Sequence, residues 1–385
     1  MATTCSSFFA KSSSTIPFLP ASVAALWVLL YHAWVLAKPR PVIVDIWDWQ
    51  VDLTPFFPAV RAVSPFFVLS GFLLGLPFAQ WQAGRRDRPQ LRPYLWRRVM
   101  RVFPAYYAQL ALLILITWLP HGQIPPQDGA TLWRHLLMLF NPPPLGTTPI
   151  NAVWWTLPIE FSFYLALPFL ALLLRPRRWW WLLILTLTTM CLWRAMSVTL
   201  LADSPVPARV LMSYQLPGSL DSFGLGMLGA ALYVHRIHLG LHRLTTRQLG
   251  ALGLGALGLM MGLLYWGHYH YLDYWTHSLL FYTWTPLFAV AAVALQFAGV
   301  GGCRLTNALF ANRIMVFAGV ISYSVYLWHY PIMEWLQPSA HIHAVDGYRL
   351  PYLLTAALGL TLLAAALSYA LIERPCMRLR HQPTR

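Results

Sequence analysis

Charge is what this chain has least of. Only 10% of its 385 residues are Asp, Glu, Lys or Arg, where a soluble domain carries about 25%. Too few charges remain to cover a water-facing surface, which excludes an ordinary soluble enzyme. With 58% hydrophobic residues and a mean hydropathy of +0.54, disordered and collagen-like chains are excluded as well. Cysteine is scarce too. Cys5, Cys191, Cys303 and Cys376 stand far apart with no C-x-x-C pair, so neither a disulfide framework nor a zinc site is expected, and no other metal is. Tandem repeats are lacking, as are the two matched halves with interrupted helices that many transporters carry.

What is present is a series of long apolar runs. A membrane-crossing helix needs about 20 mostly apolar residues. Ten runs meet that length, near 17–37, 57–79, 99–119, 153–174, 179–201, 217–235, 249–267, 277–300, 314–337 and 351–372. The expected fold is an all-α polytopic bundle of about ten transmembrane helices. The run after the Ser/Thr-rich start ends in Lys38-Pro39-Arg40 without a small-residue cleavage site, so it is expected to be retained. The stretch from Pro120 to Ala152, with Pro125-Pro126 and Pro142-Pro143-Pro144-Leu145-Gly146, reads as an outward loop.

Net charge is +15, and its distribution decides what it means. The basic residues fill short gaps between apolar runs and do not form one soluble face, so no nucleic-acid partner is expected. Placing the N-terminus inside puts 20 of the 27 Lys and Arg in cytoplasmic segments, including Arg97, Arg98, Arg101, Arg374 and Arg378. By the positive-inside rule both termini are then cytoplasmic, facing anionic lipid.

Ionisable residues within spans are costly and therefore informative. His32 and Glu160 each stand alone in an apolar segment. A lone buried His prefers to be neutral, which suits a proton acceptor. Arg194, Asp221 and Glu334 are candidates for either a working site or a charge pair across the bundle, and His329 for either a site or interfacial packing. Arg98 and Arg101, three apart on one helix face, can grip phosphate bidentately or serve as a cytoplasmic anchor. Gly71 and Gly75 have the Gly-x-x-x-Gly spacing of close helix packing.

Five stretches in order give the chain a resemblance. They are Val23–Ala33 ending Tyr31-His32-Ala33; Phe66-Phe67-Val68-Leu69-Ser70-Gly71-Phe72; the Arg-Arg-x-x-Arg-x-x-Pro run from Arg97 to Pro104; and Trp155–Leu165 around Pro158-Ile159-Glu160. The fifth is Ile321–Pro331 with Trp328-His329-Tyr330, followed by Leu371-Ile372-Glu373-Arg374-Pro375. Together they resemble the acyltransferase 3 family of integral-membrane O-acyltransferases, across nearly the whole chain.

The resemblance implies one membrane domain, residues 1–385, in a bacterial inner membrane among lipids, without an appended soluble domain. It implies transfer of an acyl group, commonly acetyl, from acyl-CoA at the cytoplasmic side. The acceptor would be a hydroxyl of a surface glycan, lipopolysaccharide or lipid-linked sugar. His32 would be the base or proton relay and Glu160 its orienting partner or the acceptor's. Arg98 and Arg101 would hold the CoA phosphates. Asp221, Arg194, Tyr323 and His329 would bind the acceptor or support the site.

The sequence departs from the family at one place. The family has an Arg separated from the first-span His by ten intervening residues; the equivalent position here is Ala21. Five residues such as Leu-Asp-Gly-Leu-Arg, inserted after Ala21, would restore the spacing, so the chain is either an impaired acyltransferase or one that works without this Arg. Acylation of a small molecule such as a macrolide, and transport of a lipid-linked sugar or anionic solute, are the alternative readings. Nothing in the sequence bears on oligomeric state.

Overall fold

The computed structural model describes residues 19–37, 41–57, 63–121, 129–140, 149–175, 177–275, 278–300, 312–342 and 349–379. Cys5, Cys303, the Ser/Thr-rich start and the Pro142–Gly146 stretch lie outside the described residues.

The described chain is a series of helices, α1 Leu19–Leu36, α2 Val63–Gln82, α3 Leu91–His121, α4 Gly129–Leu136, α5 Leu157–Leu170, α6 Trp179–Leu200 and α7 Val206–Ser213. It continues through α8 Leu220–His235, α9 Thr246–Tyr269, α10 Leu279–Val300, α11 Arg313–Val320, α12 Ser322–Ile342 and α13 Arg349–Ser368. A π-helical turn, Tyr369–Glu373, leads into α14, Arg374–Leu379. Seven described helical segments are long and apolar enough to cross a bilayer, and Ala21–Leu36 is apolar but shorter. Backbone polar groups in hydrocarbon must be satisfied within the segment, which is why apolar runs of this length fold as helices. The chain is thus an all-α, multi-pass membrane bundle.

Two elements depart from the sequence reading. A hairpin, β1 Ile43–Ile46 and β2 Trp49–Asp52, pairs antiparallel with Ile46 opposite Trp49 and Val44 opposite Val51. Each strand has four residues, too short to register as a periodic pattern beside long apolar runs. Trp47 at its tip is 95% exposed with φ of 53°. Asp52 anchors the hairpin's end. Its carboxylate accepts hydrogen bonds from the Thr54 backbone N–H at 2.8 Å and the Tyr269 hydroxyl at 2.7 Å. Thr54 first, then Tyr269, holds this carboxyl below its usual range. The second departure is α4, which folds within the expected outward loop. His135 in α4 is buried; its Nε2 accepts the Ile150 N–H at 3.0 Å, and the hydroxyl of Tyr106 donates to its carbonyl at 2.7 Å.

The chain divides into two compact units. One comprises the described residues within 1–28, 40–88 and 167–320, the other those within 29–39, 89–166 and 321–385. In the first unit α2 and α8 pack with no side chain between their backbones at two points. A methyl group on Gly71 would collide with the Phe223 carbonyl, and one on Gly226 with the Val68 carbonyl. Gly75 faces Met227, four residues beyond Phe223, so the helices run in the same direction. The Gly-x-x-x-Gly spacing is therefore a packing seam.

Prolines within helices create openings that distant side chains fill. Pro331 has no N–H to give the Leu327 carbonyl. Gln109 Nε2 donates to that carbonyl at 2.7 Å and Asn151 Nδ2 at 3.0 Å. Likewise Pro168 leaves the Tyr164 carbonyl without its helical donor, and the Tyr94 hydroxyl supplies one at 3.1 Å.

Candidate functional site

The second unit holds His32, Arg98, Arg101, Glu160, Tyr323 and His329, and Glu334 with them. They come from the end of α1, the start of α3, the first turn of α5 and α12.

His329 Nε2 lies 3.1 Å from His32 Nδ1. The direction of this bond follows from the other nitrogen of His329. Its Nδ1 lies 3.1 Å from the Val325 carbonyl, which can only accept, so Nδ1 carries the hydrogen. In a neutral ring Nε2 then holds the lone pair and accepts, which makes His32 Nδ1 the donor. The lone pair of neutral His32 is thereby assigned to Nε2. His329 is wholly buried, which favours this neutral form, while His32 is half-buried and flanked edge-on by Tyr31 and Tyr330. The arrangement can take up one proton at His32 Nε2 and hold the resulting imidazolium by its Nδ1–H.

α12 owes its placement to a polar knot in the apolar interior. Gln109, Asn151 and Trp154 are all buried. Gln109 Oε1 accepts from Trp154 Nε1 at 2.9 Å and Asn151 Nδ2 at 3.4 Å, while both amides also bond the Leu327 carbonyl. Asn151 caps the short 3-10 turn Ala152–Thr156 through the Val153 N–H, and that turn leads into Glu160. The Tyr326 hydroxyl donates to the Val153 carbonyl and lies 2.7 Å from the Thr156 hydroxyl. Trp154 and Trp275 are both buried, and Trp154 is a member of this knot.

The two arginines of the R-x-x-R pair differ. Arg101 Nη1 forms an ion pair with Glu373 Oε2 at 2.7 Å, and its guanidinium lies 5.8 Å from the Tyr323 ring centroid. Tyr323 donates its hydroxyl to the Val102 carbonyl at 2.9 Å. Arg98 lies 5.9 Å from the Tyr164 ring centroid, and its buried Nε has no hydrogen-bond partner among the described residues. Glu160 is hydrogen-bonded by Tyr164, and its charge and that of Arg98 both reach Tyr94 and Tyr164.

Arg194 and Asp221 belong to the first unit, both buried. Arg194 donates from Nε to the Gly218 carbonyl at 3.0 Å and from Nη1 to the Phe281 carbonyl at 2.7 Å. Asp221 lies within its electrostatic reach, yet neither Asp221 oxygen has a hydrogen-bond partner among the described residues. Among the described residues no three His, Cys, Asp or Glu side chains gather as a metal site would require.

Sequence reasoning passed over Gln109, Asn151 and Ser324 and gave Glu373 no role. Gln109 carried a signal, as the lone polar residue in Ala108-Gln109-Leu110-Ala111-Leu112-Leu113.

Comparison with known proteins gives the arrangement a context. A family model described as an acyltransferase domain matches residues 22–372. Nodulation protein 10 of Rhizobium leguminosarum bv. viciae is 25% identical over 93% of this chain and 91% of its own length. Acyltransferase MdmB of Streptomyces mycarofaciens is 24% identical over 83% of this chain and 81% of its own. A Staphylococcus aureus (strain COL) protein whose name proposes an O-acetyltransferase is 39% identical over 67 residues, 17% of this chain and 10% of that protein. No solved structure matches the chain.

Proposed function

Because the chain belongs to the acyltransferase 3 family, and is a multi-pass membrane O-acyltransferase, we propose that its donor is acyl-CoA and its acceptor a glycan hydroxyl. The observation that carries the site assignment is the His32–His329 hydrogen bond, whose direction leaves the basic lone pair of His32 on Nε2. The acceptor oxygen attacks the thioester carbonyl carbon as its proton passes to His32 Nε2. The C–S bond then breaks, and CoA leaves as a thiolate that takes the proton back from the imidazolium. His32 thus ends as it began. His329 keeps His32 in the productive tautomer and carries part of its positive charge through the Nδ1–H bond.

Arg98 and Arg101 hold the CoA phosphates. Arg98 is suited by its buried Nε, which has no protein acceptor among the described residues. Glu160, joined to Tyr164 and near Arg98, orients the acceptor side of the same unit. Tyr323 supports Arg101 through its ring, and Arg194 with Asp221 supports the first unit. The acyl group is acetyl, the acceptor a surface polysaccharide or lipopolysaccharide, and the location a bacterial inner membrane with both termini in the cytoplasm. Belonging to an acyltransferase family sets the transporter reading aside.

The test is transfer from labelled acetyl-CoA to surface glycan in membranes of a host without its own enzyme. The unaltered chain is expected to acylate the glycan, and His32→Ala to lose that activity while still inserting. Acylation by His32→Ala at the unaltered rate overturns the assignment of the base. Labelling of an added small molecule, such as a macrolide, in place of the glycan would reassign the acceptor.

A further inference from the structure

Glu373 closes the Leu371-Ile372-Glu373-Arg374-Pro375 run, and the reaction outlined above gives it nothing to do. It is 1% exposed, and a carboxylate is buried that deeply only when it is paired and hydrogen-bonded. Both oxygens are satisfied. Arg101 Nη1 binds Oε2 at 2.7 Å, and the Ser324 hydroxyl donates to Oε1. One carboxylate at the end of the π-helical turn therefore ties α3 to α12.

The backbone is shaped to deliver it. Residues Tyr369–Glu373 form a π-helical turn between α13 and α14, and such turns carry one residue more than an α-turn. The extra residue rotates everything beyond it by roughly 100° about the helix axis. Glu373, at the end of that turn, takes its facing from it.

The effect on Arg101 is specific to one edge of its guanidinium. Nη1 is committed twice, to Glu373 and to Met377 Sδ at 3.5 Å. The opposite edge, Nε with Nη2, has no hydrogen bond to a protein acceptor among the described residues, and the side chain is 25% exposed. That edge is the fork that binds a phosphate through two parallel hydrogen bonds. The Tyr323 ring, itself fixed by its bond to the Val102 carbonyl, lies 5.8 Å from the guanidinium centre.

We propose that Glu373 is a positioning residue: with Ser324 it clamps Arg101 by Nη1, so that the Nε–Nη2 edge stands ready for a phosphate of the acyl donor. This rests on the reading that Arg98 and Arg101 hold the donor's phosphates. It divides labour between the two arginines. Arg98, which forms no ion pair among the described residues, supplies net positive charge, and Arg101, already matched by a carboxylate, supplies direction.

The full chain in membranes tests this with two donors, acetyl-CoA and S-acetylpantetheine, which share the thioester but differ in the nucleotide phosphates. Arg101→Ala and Glu373→Gln are each expected to raise KM for acetyl-CoA by about ten- to a hundredfold, with kcat within about threefold. Neither should alter kcat/KM for acetylpantetheine. The double variant should be no worse than Arg101→Ala alone, and Glu373→Asp should recover part of the loss. Ser324→Ala, which keeps the ion pair, should shift KM in the same direction by less, and stands in if Glu373→Gln fails to fold. If Glu373→Gln and Ser324→Ala slow both donors alike, or the two single losses multiply in the double variant, the positioning role is overturned. If Arg101→Ala discriminates between the donors and Glu373→Gln does not, the positioning role alone falls. If Arg98→Ala and Arg101→Ala leave the acetyl-CoA KM unchanged, the phosphate reading falls and takes this one with it.

Discussion

His32 and His329 meet ring nitrogen to ring nitrogen, 3.1 Å apart, and a carbonyl one helical turn before His329 sets the direction of the bond. His32→Ala removes the base and is expected to lower kcat by about a hundred- to ten-thousandfold. His329→Ala leaves the base in place but frees its tautomer, a loss of roughly tenfold or less in kcat with KM for acyl-CoA unchanged. Steady-state kinetics in membranes separates the two. Equal losses from both variants would mean that His329 itself handles the proton.

Arg98 forms no ion pair among the described residues, and its buried Nε has no acceptor among them, which suits it to a ligand's phosphate. Arg98→Lys keeps the charge and loses the fork, and should raise KM for acyl-CoA about tenfold. Arg98→Ala should raise it further. Retention of acyl-CoA on membranes carrying each variant measures this directly.

The Gln109 knot predicts a stability effect. Gln109→Leu removes the acceptor of Trp154 Nε1 and one of the two donors to the Leu327 carbonyl. Leaving buried polar groups unpaired costs about 1–3 kcal/mol each. The variant should unfold at lower temperature in detergent, with residual activity falling alongside. A change in activity with no change in unfolding would give Gln109 a chemical part instead.

Two glycine substitutions should act in opposite directions. Gly71→Ala forces a methyl against the Phe223 carbonyl, which is backbone and cannot swing aside. A loss of about 2 kcal/mol or more, or failure to accumulate in the membrane, is expected. Gly258→Ala in α9 meets nothing within 4 Å and should stabilise its helix by about 0.5–1 kcal/mol. Thermal unfolding of both against the unaltered chain checks the pair.

Inserting Leu-Asp-Gly-Leu-Arg after Ala21 lengthens α1, now 18 residues, and places an Arg with ten residues between it and His32. Acetylation of glycan only after the insertion would identify the chain as an impaired acyltransferase. Acetylation by both forms would show the Arg to be dispensable.

Much of the fold was legible because hydrocarbon imposes one rule on every span, and apolar runs of fixed length reveal it. His32 and Glu160 stood out for the complementary reason, since an ionisable group in such a run has no cheap explanation, and Arg98 with Arg101 stood out by their spacing, three apart at one end of a run. Partnership was not legible. His32 and His329 are 297 positions apart, and nothing in either segment names the other. Glu373 was visible as a motif, but its bond to Arg101 depends on a π-turn that no periodicity announces. Nor did the sequence show that the missing N–H groups of Pro331 and Pro168, at the Leu327 and Tyr164 carbonyls, are what Gln109, Asn151 and Tyr94 answer.

The seam between α2 and α8 has a practical consequence. Lipid tails and apolar side chains are the same kind of material, so most interhelical packing in a bilayer competes with the solvent around it. At Gly71 and Gly226 the Cα hydrogens face carbonyl oxygens of the opposite helix, an activated C–H against a strong acceptor that a hydrocarbon tail does not replace. Exchanging the bilayer for a detergent micelle changes what surrounds the first unit and leaves this contact as it was. During extraction, the α2–α8 pair is the part of that unit whose geometry carries over from membrane to micelle.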